Sequence, residues 1–552
     1  MNAALTRRSL GRHSLRVAAQ STPVDSSIVT DDQTSAAEPE ATEPELSEAE
    51  VSEQMGVRLA KREKLIASGA EAYPVQLPIT TTIAAIRAEY GHLAESEESG
   101  EFAAIAGRVV FQRNTGRLCF ATIQAGDGQR IQAMLSEANI GETSLAEFKE
   151  LVDLGDHLFV AGEVISSRRG ELSIMATSWR IAAKAVRPLP NAYKELSEES
   201  RVRQRYLDLI VRERARTTVR ARAAVNASLR STFTSQGYLE VETPMLQVMH
   251  GGASARPFVT ESNAFDTELY LRIAPELYLK RAVVGGIERV FEINRNFRNE
   301  GADSTHSPEF VMIEAYEAYA DYHRMADLTQ HLVQNAAIAV AGSTEVEWAD
   351  GTVYDLGGQW DRVPMYGSLA EASGREVSPE TPLDALVAWA GELGIEVAHP
   401  THGKLVEELW EHYVKPSFTR PTFVTDFPVD TSPLVRDHRE TAGVVEKWDL
   451  YVRGFELATG YSELVDPVIQ RQRFIEQAEL AGRGDVEAMR LDEDFLRALE
   501  HGMPPTGGIG IGLDRLLMAI TGLGIRETIL FPLVKGGRPM DELKLPQEDR
   551  DK

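Results

Sequence analysis

Cysteine is almost absent from this chain: Cys119 is the one thiol in 552 residues. A single thiol cannot close an internal disulfide, which suits a reducing cytosol. No apolar run reaches the length of a membrane span. Met1–Gln20 carries Arg7, Arg8, Arg12 and Arg16 and no acid, but it lacks the apolar core of a secretory signal. Basic residues are also in deficit, with 58 Lys and Arg against 84 Asp and Glu, a net charge of −26. An acidic total does not exclude RNA binding, because the field that matters is local. The glycine-rich run Gly507–Gly512 is followed by no Lys-Ser/Thr, and no βαβ unit surrounds it. P-loop and dinucleotide-fold readings therefore fail. The length suggests two or three domains with ample core.

Along the chain, residues 1–54 read as a tail, basic and then acidic. An organellar presequence, a disordered tail and a misassigned start are the readings open for Met1–Gln20; Ser21–Glu53, rich in Glu, Asp, Ser, Ala and Pro, reads as disordered. Residues 55–100 form a helical extension, in which Arg58, Lys61, Arg62 and Lys64 make a basic face that is either solvated or set against RNA. Between 101 and 188, five short β-like runs and a helical piece near Thr143–Leu151 suit an OB-type barrel. Such barrels hold single-stranded nucleic acid on aromatics flanked by bases. Phe120, Arg113, Arg117 and Gln124 are the candidates, and Phe120 could equally be core. Ser200–Phe233 reads as one long Arg- and Ala-rich helical stretch. The catalytic part is expected at 195–535, with a helical, irregular insertion at about 343–445 and a polar tail at 536–552.

The catalytic part is organised around Phe291–Glu300, FEINRNFRNE, and His306-Ser307-Pro308-Glu309-Phe310. Arg289–Ile293 alternates as a half-buried strand does. Continued, the strand delivers Arg298 and Glu300 to one face, and Glu309–Tyr316 returns antiparallel. The hairpin then presents Arg298, Glu300, His306, Phe310, Glu314 and Tyr316 to one surface. Arg suits a phosphate because its planar fork donates in pairs, and Phe310 offers a flat face to a base. A surface hairpin with ordinary ion pairs is the plainer reading. The glycine run precedes an apolar helix from Leu516, where backbone can approach a phosphate.

These two stretches, with Gly237–Leu246 upstream, resemble the three signature motifs of class II aminoacyl-tRNA synthetases. Gly251–Phe258, Arg272–Arg281, Arg205–Leu209 and Phe455–Leu464 are more closely similar to subclass IIb lysyl-tRNA synthetases. The resemblance implies an α+β protein: an N-terminal OB-type anticodon-binding barrel, then an antiparallel-sheet catalytic domain with flanking helices. It implies ATP-dependent activation of L-lysine to lysyl-adenylate and transfer to the 3′ end of tRNA(Lys), by a cytoplasmic homodimer with no membrane segment. It puts the side-chain amine at Glu276, Glu463 and Tyr316, with Thr459 and Tyr461 in the same pocket. The α-amine falls near Glu314 and the backbone of Gly252, and the α-carboxylate near Arg298. Arg298, Glu300, His306, Phe310 and Arg515 would bind ATP, Phe310 and Arg515 sandwiching adenine. Arg298 and Arg515 would be catalytic, and Asp449 and Glu456 would hold Mg²⁺ on the phosphates. Arg113, Phe120 and Gln124 would meet the anticodon.

The acids of the pocket fit the substrate. Buried carboxylates are costly unless paired, and no Arg or Lys of these motifs is an obvious permanent partner for Glu276 and Glu463, so a diamino acid supplies the cations. There are departures: Thr459 replaces an amide, Val465 a polar residue, Asp449 a Glu, and Ser307 a frequent Asn. Ala458–Asp466 resembles the synthetase half of actinobacterial proteins that lysylate phosphatidylglycerol. Two alternatives therefore stand beside a lysine–tRNA ligase: supply of lysyl-tRNA for that lipid reaction, and a non-catalytic RNA-binding paralogue.

Overall fold

The computed structural model describes residues 48–534, apart from 191–195, 304, 349, 398 and 483–488. The readings for residues 1–47 and for the tail at 536–552 lie outside the described residues. The helix Glu48–Ala67 starts inside the expected tail. Most of its bases meet the barrel. Arg58 Nη1 donates to Leu154 O at 2.9 Å and Ala185 O at 3.1 Å, Lys61 pairs with Asp153 at 2.6 Å, and Lys64 pairs with Glu150. Three of the four bases are thus engaged by the barrel.

The barrel closes as β1 (Glu98–Asn114), β2 (Leu118–Gln124), β3 (Arg130–Ser136), β5 (Leu172–Ala183) and β4 (His157–Ser166), in that order. Alternation sets its inside: Cys119, Ala121 and Ile123 of β2 and Ile131, Ala133 and Leu135 of β3 are buried. The helix Glu142–Leu151 packs Leu145, Phe148 and Leu151 onto this core.

After the barrel, the expected single helical stretch is three helices, Glu198–Arg203, Arg205–Val211 and Glu213–Ser235. The strands that follow are β6 (Leu239–Glu240), β7 (Leu246–Gln247), β8 (Val259–Ser262), β9 (Thr267–Leu271), β10 (Arg289–Phe297) and β11 (Glu309–Ala318). Beyond them come β12 (Glu345–Glu347), β13 (Val353–Asp355), β14 (Asp361–Pro364), β15 (Thr422–Pro428), β16 (Val444–Val452), β17 (Phe455–Ser462) and β18 (Thr506–Gly512). Eight of these form the main sheet, ordered β14-β15-β16-β17-β18-β11-β10-β6. It is antiparallel except at β14–β15 and β10–β6. Helices Glu213–Ser235, Tyr322–Ala341 and Leu513–Thr521 cover one face in a shared apolar core, which leaves the other face for the site.

Three expectations change here. β10 ends at Phe297, so Arg298 and Glu300 sit just past the strand, where Arg298 N–H donates to Pro308 O at 2.9 Å. The glycine run is mainly a strand, and the helix it leads into begins at Leu513 rather than Leu516: β18 lies at the middle of the sheet between β17 and β11. The expected insertion also contributes β14 and β15 to the main sheet. Its helices Met365–Ser373, Leu383–Glu392 and His402–Tyr413 build a core of their own around Leu386, Leu409 and Trp410.

Candidate active site

A cavity of about 300 Å³ opens over β11, β16, β17 and β18 and the segment after β10. Gly252, Glu276, Arg298, Glu300, His306, Phe310, Glu314, Tyr316, Asp449, Glu456, Thr459, Tyr461 and Arg515 all line it. The hairpin thus brings its six expected side chains to one surface. Glu463 does not line this cavity but stands behind Glu276 at 2 % exposure.

The acidic end is built first by backbone. Gly252 has φ +86°, and a Cβ there would lie 3.0 Å from Glu276 Cβ and 3.3 Å from Ala274 Cβ, so only glycine fits that left-handed turn against the helix Glu276–Val284. A Cβ at Gly508 would overlap Glu463 Oε1 and lie 2.7 Å from Tyr316 Cε1. The bare strand therefore lets an acid and a phenol meet. Tyr316 Oη donates to Glu314 Oε2 at 3.1 Å. Burial, then repulsion from Glu276, raises the Glu314 carboxyl well above its usual range.

One expectation about this end is wrong. Glu276 and Glu463 do have a permanent cation. Lys280 Nζ lies 2.6 Å from Glu276 Oε1 and 2.5 Å from Glu463 Oε2, with its side chain fully buried. Glu463 Oε1 remains buried without a hydrogen-bond partner among the described residues. The signal was in the sequence: Glu276 and Lys280 are four apart on a helix, where side chains meet.

The cationic end carries Arg298, His306 and Arg515. Arg515 Nη1 donates to Glu456 O at 2.7 Å, and its Nη2 lies 3.2 Å from His306 Nε2. His306 Nδ1 lies 2.9 Å from Asp303 Oδ2. The Arg298 guanidinium lies over Phe310, 5.1 Å from the ring centroid. Among the described residues the Arg298 Nε is buried without a hydrogen-bond partner. Glu300 accepts from the Arg256 N–H at 3.3 Å.

Asp449 on β16 and Glu456 on β17 face the same space. Lys447, two residues before Asp449 and so on the same face, puts Nζ 3.1 Å from Asp449 Oδ2. Burial pushes the Asp449 carboxyl up to about 6 against the pull of Lys447. Among the described residues its Oδ1 is buried with no hydrogen-bond partner, and a hard cation could satisfy that oxygen. Among the described residues no cluster of three or more His, Cys, Asp or Glu closes around a metal. Two carboxylates fit an ion that takes the rest of its shell from phosphate and water. Thr459 Oγ1 donates to Trp448 O at 3.4 Å. Sequence reasoning gave Asp514 no role. Its Oδ2 accepts from the Val311 N–H at 2.8 Å and its Oδ1 from Arg222 Nη1 at 2.6 Å. It joins the glycine-run helix, the hairpin and the long helix Glu213–Ser235.

On the barrel, Arg113 and Phe120 face each other across β1 and β2, outside the core, with the guanidinium 4.8 Å from the ring centroid. Gln124 is different. It is buried, its Nε2 donates to Ile210 O at 3.0 Å, and its Oε1 accepts from Arg130 Nε at 3.0 Å. Its amide is spent on the joint with the catalytic domain, which removes it from the base-contacting candidates.

The family model for tRNA synthetases class II (D, K and N) matches residues 197–535, and that for the OB-fold nucleic acid binding domain matches residues 103–182. A lysine–tRNA ligase of Kineococcus radiotolerans is 66 % identical over 485 residues, spanning 88 % of this chain and 97 % of the relative. The chain belongs to the class II lysine–tRNA ligases. One from Mycolicibacterium gilvum is 60 % identical over 486 residues, with the same coverage of both chains. The lysylphosphatidylglycerol biosynthesis bifunctional protein LysX of Nocardia farcinica is 48 % identical over 489 residues, which make up 88 % of this chain but 43 % of that larger protein. No helix among the described residues is long and apolar enough to cross a membrane.

Proposed function

We propose that this chain activates L-lysine with ATP and then charges tRNA(Lys) in the cytoplasm for protein synthesis. The observation that carries the reading is the polarity of one cavity. Glu276, Glu314 and, behind them, Glu463 gather at one end, and Arg298, His306 and Arg515 at the other. An amino acid with two ammonium groups answers the first end, and a polyphosphate answers the second. An aspartate side chain would bring a fourth carboxylate to the three acids.

In this reading the lysine carboxylate attacks the α-phosphorus in line. A P–O bond to it forms as the bond to pyrophosphate breaks, and no protein base is needed. Arg298 contacts the carboxylate and the α-phosphate, where its donors stabilise the charge that develops. Arg515 and His306 hold the outer phosphates, Phe310 stacks adenine, and Glu300 meets its amino group. Asp449 and Glu456 would hold Mg²⁺, whose chemistry there is to neutralise and align the phosphate oxygens. The 3′ hydroxyl of the terminal ribose of tRNA then attacks the acyl carbon, the mixed-anhydride bond breaks and AMP leaves with the hydroxyl proton, while pocket side chains hold lysine in place. Arg113 and Phe120 are proposed to stack and pair against anticodon bases.

We also propose a homodimer. β6 is an edge strand paired on one side by β10, and nearby Leu239, Leu246 and Val248 are exposed, an apolar edge of the kind a second copy covers. ATP–pyrophosphate exchange across the twenty amino acids, followed by charging of separate tRNAs, tests the reading. Exchange with lysine alone and charging of tRNA(Lys) are expected; exchange with aspartate or asparagine would end it. Supply for lipid lysylation draws on the LysX likeness, but relatives matched over 97 % of their own length are lysine–tRNA ligases. The intact Arg298, Glu300 and Arg515 argue against a silent paralogue.

A further inference from the structure

The acidic end of the cavity poses a problem of charge. Two carboxylates, Glu276 and Glu463, approach a common point in a fully buried setting, where like charges close together cannot both persist without a cation. Lys280 supplies one. Its ammonium touches Glu276 Oε1 at 2.6 Å and Glu463 Oε2 at 2.5 Å, and its remaining contact is Leu434 O at 3.5 Å. Each acid is held by one oxygen. Glu463 Oε1 stays buried without a hydrogen-bond partner among the described residues, close to Tyr316 across the bare backbone of Gly508. Two acids and one ammonium leave a single net negative charge, which one incoming ammonium balances.

We infer that Lys280 is a positioning residue for substrate selection: it neutralises one of the two buried carboxylates and fixes the orientation of both, so that the pair presents one net negative charge to the side-chain ammonium of lysine. The inference rests on the reading of this pocket as the lysine site. Lys280 itself does not line the cavity, and it acts through Glu276 and Glu463. It also fills the space beyond the acids, so a second cationic group on a ligand finds that seat taken.

The test is a charge-count cycle on the full chain, reading lysine and ATP dependence of pyrophosphate exchange with thermal unfolding as a control. Lys280→Met removes the cation at similar length, and we expect the KM for lysine to rise about thirtyfold while that for ATP stays within about threefold. Glu463→Gln leaves no net charge in the trio and should also weaken lysine. The double variant, Lys280→Met with Glu463→Gln, restores one net negative charge, so its KM for lysine should be about fivefold or more below that of either single variant. A purely structural ion pair would show its rescue in the thermal midpoint, because the double variant leaves no uncompensated buried charge, and it would leave the KM for lysine of every folded variant near the parent value. Double-variant KM values at or above those of the singles overturn the inference, as does a Lys280→Met enzyme that binds lysine normally. If Lys280→Met does not fold, the comparison of the double variant with Glu463→Gln still decides. Should Glu463→Gln itself spare lysine, the pocket reading fails, which is a different result from failure of Lys280 alone.

Discussion

Replacing Asp514 with asparagine tests how the site is held together. The carboxylate is 2 % exposed and joins three segments through Arg222 Nη1 at 2.6 Å and the Val311 N–H at 2.8 Å. Asparagine keeps the shape but has one acceptor oxygen, so either Arg222 or Val311 loses its partner. Breaking a buried charge pair costs about 3–5 kcal/mol. That is an upper bound here, because the Arg222 side chain is 21 % exposed and also donates to Thr528 O at 3.2 Å. We expect about 2–3 kcal/mol, nearer the range of one charge-assisted hydrogen bond. Val311 follows Phe310, so a loosened N–H displaces the proposed adenine platform. The thermal midpoint should fall by roughly 3 °C or more, and the KM for ATP should rise several-fold while that for lysine changes less. Scanning fluorimetry and pyrophosphate exchange measure both. A midpoint within one degree of the parent, with unchanged ATP dependence, would refute the view that Asp514 aligns the motifs.

Other outcomes follow from the same geometry. Arg298→Ala should slow activation by a factor equivalent to about 3 kcal/mol, the range for one preorganised donor, with the thermal midpoint retained; near-normal exchange would remove Arg298 from the chemistry. Burial, opposed by Lys280, raises the Glu463 carboxyl from 4.5 to about 7. A raised acid pKa means the folded chain holds the proton more tightly, so this group's contribution to stability falls as pH rises between about 4.5 and 7. Lysine binding runs the other way: only the carboxylate serves an ammonium, and the KM for lysine should rise roughly tenfold by pH 6. A flat lysine KM between pH 8 and 6 would contradict this. Deleting residues up to about 186 should leave lysine activation in place and sharply reduce tRNA charging, whereas equal loss of both would make the barrel part of the catalytic core.

Much of the site was legible because it lies in short segments whose geometry is local. Glu309–Tyr316 alternates, and alternation fixes which side chains share a face, so Phe310, Glu314 and Tyr316 could be grouped before any fold was known. The end of β10 could not be read in the same way. Nothing in Phe297-Arg298-Asn299 marks the point where pairing stops. That point is set from outside, as Arg298 N–H turns to Pro308 O and Asn299 N–H to Arg256 O at 2.8 Å. The barrel strands were readable for the same reason as the hairpin, but Gln124 was not. Its last-residue position on β2 looks like an exposed rim until Ile210, from a helix 86 residues later, covers it.

The glycine run shows how one composition can serve two physical ends. Glycine before a helix suggests backbone laid against phosphate, and a helix does begin at Leu513. Yet at Gly507 and Gly508 the decisive fact is lateral. A methyl at Gly507 would press on Met325, and one at Gly508 would press on Glu463 and Tyr316. The sheet is bare there so that side chains from three other elements can close over it. That closure is also what sequence reasoning lacked when it left Glu276 and Glu463 without a cation. The helical spacing of Glu276 and Lys280 announces one contact, but Glu463 is 183 positions beyond Lys280 and meets it only because β17 runs out beside β18 at Ser462–Gly507. Selectivity at this end is therefore a property of three charges converging from two distant segments, and it depends on the cation as much as on the acids.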